Sequence, residues 1–206
     1  MTTLYFMRHA ESEANLSDIL ASQLDFPLTE KGRKDAAKIA EEVQQFHPID
    51  HIISSPLIRA KQTAEPFEKL FALTADTDAR VIEQDLGKYA GKTYAQLDDE
   101  PDYCHDRSLR WKWVPEGEGE SYEMIAHRLQ PFFDKMFEQK HEHILIITHA
   151  VTLRMVKSIL LNMLPEYPRE IAHNGEIWQV KLGKKGDVHE IKSHFYGESK
   201  SAVSRA

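Results

Sequence analysis

Cysteine is almost absent from this chain: Cys104 is the only one in 206 residues. No intrachain disulfide can form, so the fold must rest on a packed core, and a reducing compartment fits. Long apolar runs are absent too. The first, Leu4-Tyr5-Phe6-Met7, stops at Arg8, and nothing approaches the roughly 20 residues that cross a bilayer. No basic segment precedes that run, so it does not read as a secretory leader; the cytoplasm is the expected location. Positive charge is scarce. The 26 Lys and Arg face 33 Asp and Glu, a net charge of −7, which argues against a nucleic-acid binder or a membrane-surface protein. Any anion site must therefore come from local clustering of Arg and His.

What is present is ordinary globular composition, 41% hydrophobic and 29% charged, with enough length for one domain over 1–206 and a sizeable core. Thr3–Met7 reads as a first strand. Thr29 is a plausible N-cap for a helix over Glu30–Phe46, whose Ala36, Ile39, Ala40 and Val43 share one face. His51–Ser54 reads as a second strand and Leu57–Leu73 as a helix that Pro66 should kink or start. Arg80-Val81-Ile82 reads as a third strand and Glu120–Gln139 as a helix containing Pro131. Ile144–Thr148 is an unbroken apolar run, the mark of a central parallel strand buried on both faces, with a helix over Val151–Leu164 behind it. Glu176–Leu182 and Val188–Phe195 read as late strands joined by a turn at Gly183–Gly186. The expected fold class is α/β: three layers, α/β/α, with a mostly parallel central sheet and some antiparallel pairing near the C-terminus. Residues 92–117 should form an excursion over one edge, and the small, polar tail 197–206 is expected to be mobile.

In such sheets ligands bind outside the carboxyl ends of the strands. Arg8-His9, Ser54-Ser55 with Arg59, Glu83 and Thr148-His149 all follow expected strands. Any one of them alone is unremarkable: a loop pair, a solvated turn residue, a satisfied core histidine. Together they have a chemistry. Two guanidinium groups can clamp a phosphoryl group in forked hydrogen bonds. One imidazole can attack phosphorus, and a second can stabilise the equatorial oxygens. A carboxylic acid can protonate the departing alkoxide and later deprotonate water. No metal or other cofactor is needed.

These residues sit in recognisable stretches. "FMRHAESEAN", "DFPLTEKG", "SSPLIRAKQTA", "EQDLGKYAG", "GEGESYEMIAHR" and "IITHAVTLR" occur in that order. The chain thereby resembles the histidine phosphatase superfamily, the phosphoglycerate-mutase-like proteins, over about residues 3 to 182. The resemblance implies that His9 accepts the phosphoryl group, that Arg8, Arg59 and His149 hold it, and that Glu83 is the proton donor and later the base. It also implies that Asn15 faces the phosphate or its water, with Ser55 and Glu120-Ser121 in support. Ala10 stands where the family commonly has Gly, and Ala14 where it commonly has Trp. Ile19 and Ser22 replace a common Arg and Gly in a loop facing the substrate.

The resemblance implies a phosphatase acting on a small soluble phosphomonoester. The mutases carry a longer insertion where this chain has only 92–117, and that favours hydrolysis over mutase-type transfer. A non-catalytic phosphate-ester-binding or scaffold protein on the same fold would be expected to lack His9, Glu83 or His149, and all three are present. Trp111-Lys112-Trp113 could pack on the body or form a specificity lid. His141-x-His143 lacks a third ligand at metal spacing. Cys104 and His105, as sequence neighbours, do not make a nucleophile–base pair.

Overall fold

The computed structural model describes residues 2–139 and 141–194. Six strands form one sheet, β1 (Thr3–Arg8), β2 (His51–Ser54), β3 (Asp76–Thr77), β4 (His143–Thr148), β5 (Ile177–Lys181) and β6 (Ile191–His194), in the order β3-β2-β4-β1-β5-β6. The first four strands of that order are parallel, and β5 runs antiparallel to both its neighbours, β1 and β6.

Strand periodicity sorts the core into two layers. In β1, Leu4 and Phe6 face one way and Tyr5 and Met7 the other; in β4, Ile144 and Ile146 oppose Leu145 and Ile147. All eight are at most 2% exposed, so both faces of the sheet are covered. Ile39, Val43 and Phe67, from α2 (Glu30–Phe46) and α3 (Ile58–Phe71), close one face. Ile125, Leu129, Met155 and Val156, from α5 (Tyr122–Phe137) and α6 (Ala150–Leu160), close the other. This is the three-layer α/β/α fold with a mostly parallel sheet that the sequence implies.

The expected third strand at Arg80–Ile82 is not a strand. Residues Ala79–Val81 form a 3-10 turn, and the sheet is instead extended by the two residues of β3. The cause is local: the Asp78 carboxylate accepts from the Arg80 amide at 2.9 Å and grips the Arg80 guanidinium, which closes the turn. Val81 alone then turns into the core. Several ends also move. Thr29 does cap α2, accepting from the Gly32 amide at 2.9 Å. Helix α5 starts after Ser121, which caps it through the Met124 amide at 3.2 Å. Pro66 lies inside α3 rather than at its start. Helix α6 stops at Leu160, just before Asn162 takes a positive φ of 52°. Phe195 and the tail 197–206 lie outside the described residues.

The excursion at 92–117 carries α4 (Tyr94–Leu97) and a short 3-10 turn. Its aromatics pack on the body. Trp111 lies against the main core, and Trp113 meets Tyr103 at 5.4 Å and Tyr89 at 6.0 Å.

Candidate active site

The parallel strands deliver their ends to one edge. The Arg8 amide donates to Glu176 O, and the His9 amide to Thr148 O, so the ladder holds the backbone up to the imidazole. His9 and His149 lie 4% and 0% exposed, with ring centroids 5.2 Å apart. His149 immediately precedes α6. Its Nε2 meets Ser55 Oγ at 2.7 Å, from the end of β2, while its Nδ1 is buried without a protein partner.

The proton on His9 has a defined place. Nδ1 lies 2.7 Å from Ala10 O, which can only accept, so Nδ1 carries the hydrogen and Nε2 keeps its lone pair. Burial, then the charges of Arg59 and Arg8, push His9 well below the usual imidazole range, so it is neutral near pH 7. Burial, Arg59 and His9 do the same to His149. Burial brings Arg59 down to about 10, partly offset by Glu83, so it stays a cation. Arg8 is lowered by burial and raised by Glu83, Tyr94 and Glu176.

Arg59 sits in the first turn of α3, 2% exposed, with Nη1 and Nη2 donating to Leu24 O at 2.8 Å and Ser22 O at 2.7 Å. Arg8 Nη1 donates to Ala172 O at 2.7 Å, and its Nε is buried without a partner. Glu83 lies at the N-terminus of α6, where its carboxylate accepts from the amides of Thr152 at 3.2 Å and Val151 at 3.3 Å. Asn15, in α1 (Glu13–Leu16), accepts through Oδ1 from the Ser12 amide and from Asn174 Nδ2. That leaves its Nδ2 as the end able to donate to a ligand. The six residues implied by the resemblance thus gather at one end of the sheet.

The supporting residues have visible work. Glu120 Oε1 takes the Arg128 Nε at 2.8 Å, and Arg128 donates on to Arg80 O and Ile82 O, which fixes the approach to Glu83. Thr63, one turn after Arg59, accepts from the Ala10 amide at 3.1 Å. Gln62 Oε1 takes the Leu28 amide at 2.8 Å. Gly32 lets α2 reach the nucleophile loop, because a Cβ there would stand 2.0 Å from Glu11 O.

Sequence reasoning missed Asn174 and Glu176. Asn174 Nδ2 donates to His9 O at 2.9 Å and Ala10 O at 3.3 Å. The Glu176 carboxylate, 7% exposed, accepts from Trp178, Ser193 and the His173 amide. Both arrive at the amino end of an antiparallel strand, outside any rule about carboxyl ends; the polar pair in an otherwise buried stretch was the available signal. Among the described residues no group of three or more His, Cys, Asp or Glu could hold a metal ion, and no helix is long and apolar enough to cross a membrane.

The model of the histidine phosphatase superfamily (branch 1) matches residues 4–192. A probable phosphoglycerate mutase of Proteus mirabilis is 32% identical over 171 residues, covering 81% of this chain and 78% of the relative. A putative phosphoserine phosphatase 2 of Hydrogenobacter thermophilus is 28% identical over 208 residues, covering 98% and 94%. Among solved structures, a mycobacterial glucosyl-3-phosphoglycerate phosphatase in complex with VO3 superposes with a TM-score of 0.79 at 25% identity, covering 97% of this chain and 100% of its own. Bacillus stearothermophilus YhfR gives 0.80 at 25% identity, covering 93% and 95%.

Proposed function

The chain belongs to the histidine phosphatase superfamily, and from that premise we propose that it hydrolyses small soluble phosphomonoesters through a phosphohistidine at His9, without a metal. The observation that carries this reading is the state of His9: neutral, with Nδ1 bonded to Ala10 O and Nε2 left with its lone pair in a pocket where the charges of Arg59 and Arg8 act on the ring. That is a nucleophile prepared for an electrophilic phosphorus.

Arg8 and Arg59 neutralise the phosphoryl oxygens, and the unpartnered Nδ1 of His149 and Nε of Arg8 are available to the same oxygens. His9 Nε2 attacks phosphorus as the P–O ester bond breaks, and protonated Glu83 gives its proton to the departing alkoxide. The Glu83 carboxylate then takes a proton from water. The resulting hydroxide attacks the phosphohistidine, freeing phosphate and restoring His9. Acid–base assistance of this kind contributes about 10²–10⁴-fold.

The Proteus relative's name keeps phosphoglycerate-mutase-type transfer as the second reading. Hydrolysis is favoured because 92–117 is short and its tryptophans are engaged on the body. The relatives named as phosphatases, one of them solved with VO3, support the same choice.

The test is turnover of p-nitrophenyl phosphate in EDTA. The protein should release phosphate, orthovanadate should inhibit as a mimic of five-coordinate phosphorus, and His9→Ala should be inactive. Full turnover by His9→Ala sinks the mechanism, and loss of activity in EDTA reopens a metal route. Assaying 3-phosphoglycerate for phosphate release and for isomerisation separates phosphatase from mutase.

A further inference from the structure

Five non-glycine residues among those described have positive φ: Asp18, Ser22, Ala72, Glu118 and Asn162. Four are exposed, while Ser22, at φ 49°, is 4% exposed. A side chain in that left-handed region costs free energy that glycine would not lose, and buried strain of this kind persists where something else holds it. At Ser22 the hydroxyl is what holds it. Oγ donates to Gln84 O at 3.0 Å and accepts from the Leu86 amide at 2.9 Å, while the backbone carbonyl of the same residue takes Arg59 Nη2 at 2.7 Å. The next residue repeats the link, with Gln23 Nε2 donating to Glu83 O at 3.0 Å. Gln84 in turn donates its amide to Glu83 Oε1 at 2.9 Å. A continuous chain of hydrogen bonds therefore runs from Arg59 through Ser22 and Gln84 to the Glu83 carboxylate.

We propose that Ser22 is a positioning residue that locks the Glu83 loop to the Arg59 arm of the pocket, so that the proton donor and the phosphoryl clamp keep one spacing. This rests on the roles assigned above to Glu83 and Arg59. A phosphoryl group held by Arg59 must present its ester oxygen to Glu83, and a shift of the acid loop costs proton transfer rather than binding. With Ser22 and Gln84 buried, 4% and 1% exposed, bulk water does not reach in to replace the hydroxyl.

The experiment compares Ser22→Gly and Ser22→Ala, each alone and combined with Glu83→Gln. It reads kcat/KM for a simple alkyl phosphate and for p-nitrophenyl phosphate, the orthovanadate Ki, and Tm. Loss of the hydroxyl should lower kcat/KM for the alkyl ester about tenfold, the scale of one hydrogen bond, since of its two bonds the one to Gln84 O leads to Glu83. The activated aryl ester and the vanadate Ki should barely change. In the Glu83→Gln background Ser22→Gly should cause no further loss. Both variants strand the partners of the hydroxyl, but glycine also relieves the strain, so both should melt below the parent and Ser22→Ala lower than Ser22→Gly. Equal losses on both esters, full additivity with Glu83→Gln, or no loss at all overturns the proposal. If Glu83→Gln alone turns over the alkyl ester at the parent rate, the role of Glu83 falls first and takes the proposal with it.

Discussion

Replacing Arg128 by methionine should weaken both the fold and the acid. The guanidinium forks Glu120 at 2.8 and 3.3 Å and donates to Arg80 O at 2.6 Å and Ile82 O at 2.8 Å. Losing one partner of a fully buried ion pair costs about 3–5 kcal/mol. Here the two side chains are 18% and 17% exposed, so water recovers part of that, and about 2–3 kcal/mol is expected after this discount. Methionine fills much of the volume, so no large cavity adds to it. At this chain length, about 2–4 °C is lost per kcal/mol, giving a fall in Tm of roughly 5–10 °C. Calorimetry and urea titration measure it. Arg128→Lys should fall between, since an ammonium keeps the charge but cannot reach three acceptors at once. Turnover of alkyl phosphates should drop more than that of p-nitrophenyl phosphate, because the freed carbonyls belong to the approach to Glu83. A Tm within about 1 °C of the parent would mean that the pair behaves as an exposed surface bridge with no net worth, and the argument that it fixes the acid loop would be wrong.

Gly32→Ala sets helix propensity against sterics. In an open helix alanine is favoured by about 1 kcal/mol. Here its Cβ would stand 2.0 Å from Glu11 O and 3.0 Å from Glu11 C, backbone atoms that cannot rotate away. The variant should lose several °C in a thermal melt and much of its turnover; a Tm at or above the parent would refute the close approach. Stability should also fall as the solution is acidified. His9 and His149 are held well below their usual value by burial and by Arg59, whereas in the unfolded chain they protonate near about pH 6.5. Below that pH the unfolded state binds the extra protons, so each histidine removes up to about 1.4 kcal/mol per pH unit until its folded form titrates. Urea midpoints taken from about pH 7.5 down to about pH 5 should fall less steeply for His9→Gln than for the parent, and parallel slopes would contradict the neutral assignment.

The gaps between expectation and structure have physical causes. Arg80-Val81-Ile82 looks like a strand because two β-branched residues follow a basic one. Whether they extend or turn was decided by Asp78 closing on Arg80, a contact between polar side chains that hydrophobic periodicity does not register. In the sequence Ser22 is only a residue standing where the family commonly has glycine; its positive φ and its two hydroxyl bonds belong to the folded chain.

By itself the sequence determined what local pattern can encode. Unbroken apolar runs at Leu4–Met7 and Ile144–Ile147 specified strands with two buried faces, Thr29 specified a helix start, and six ordered motifs specified which residues should meet a phosphoryl group. Tertiary structure decided the rest, because it depends on partners far apart in the chain. Ser55 meets His149 across 94 residues and Asn174 meets His9 across 165. The second contact exists only because β5 runs antiparallel and brings its amino end to the edge where β1, β2 and β4 bring their carboxyl ends. Strand order and direction are properties of the assembled sheet, and no window of sequence contains them.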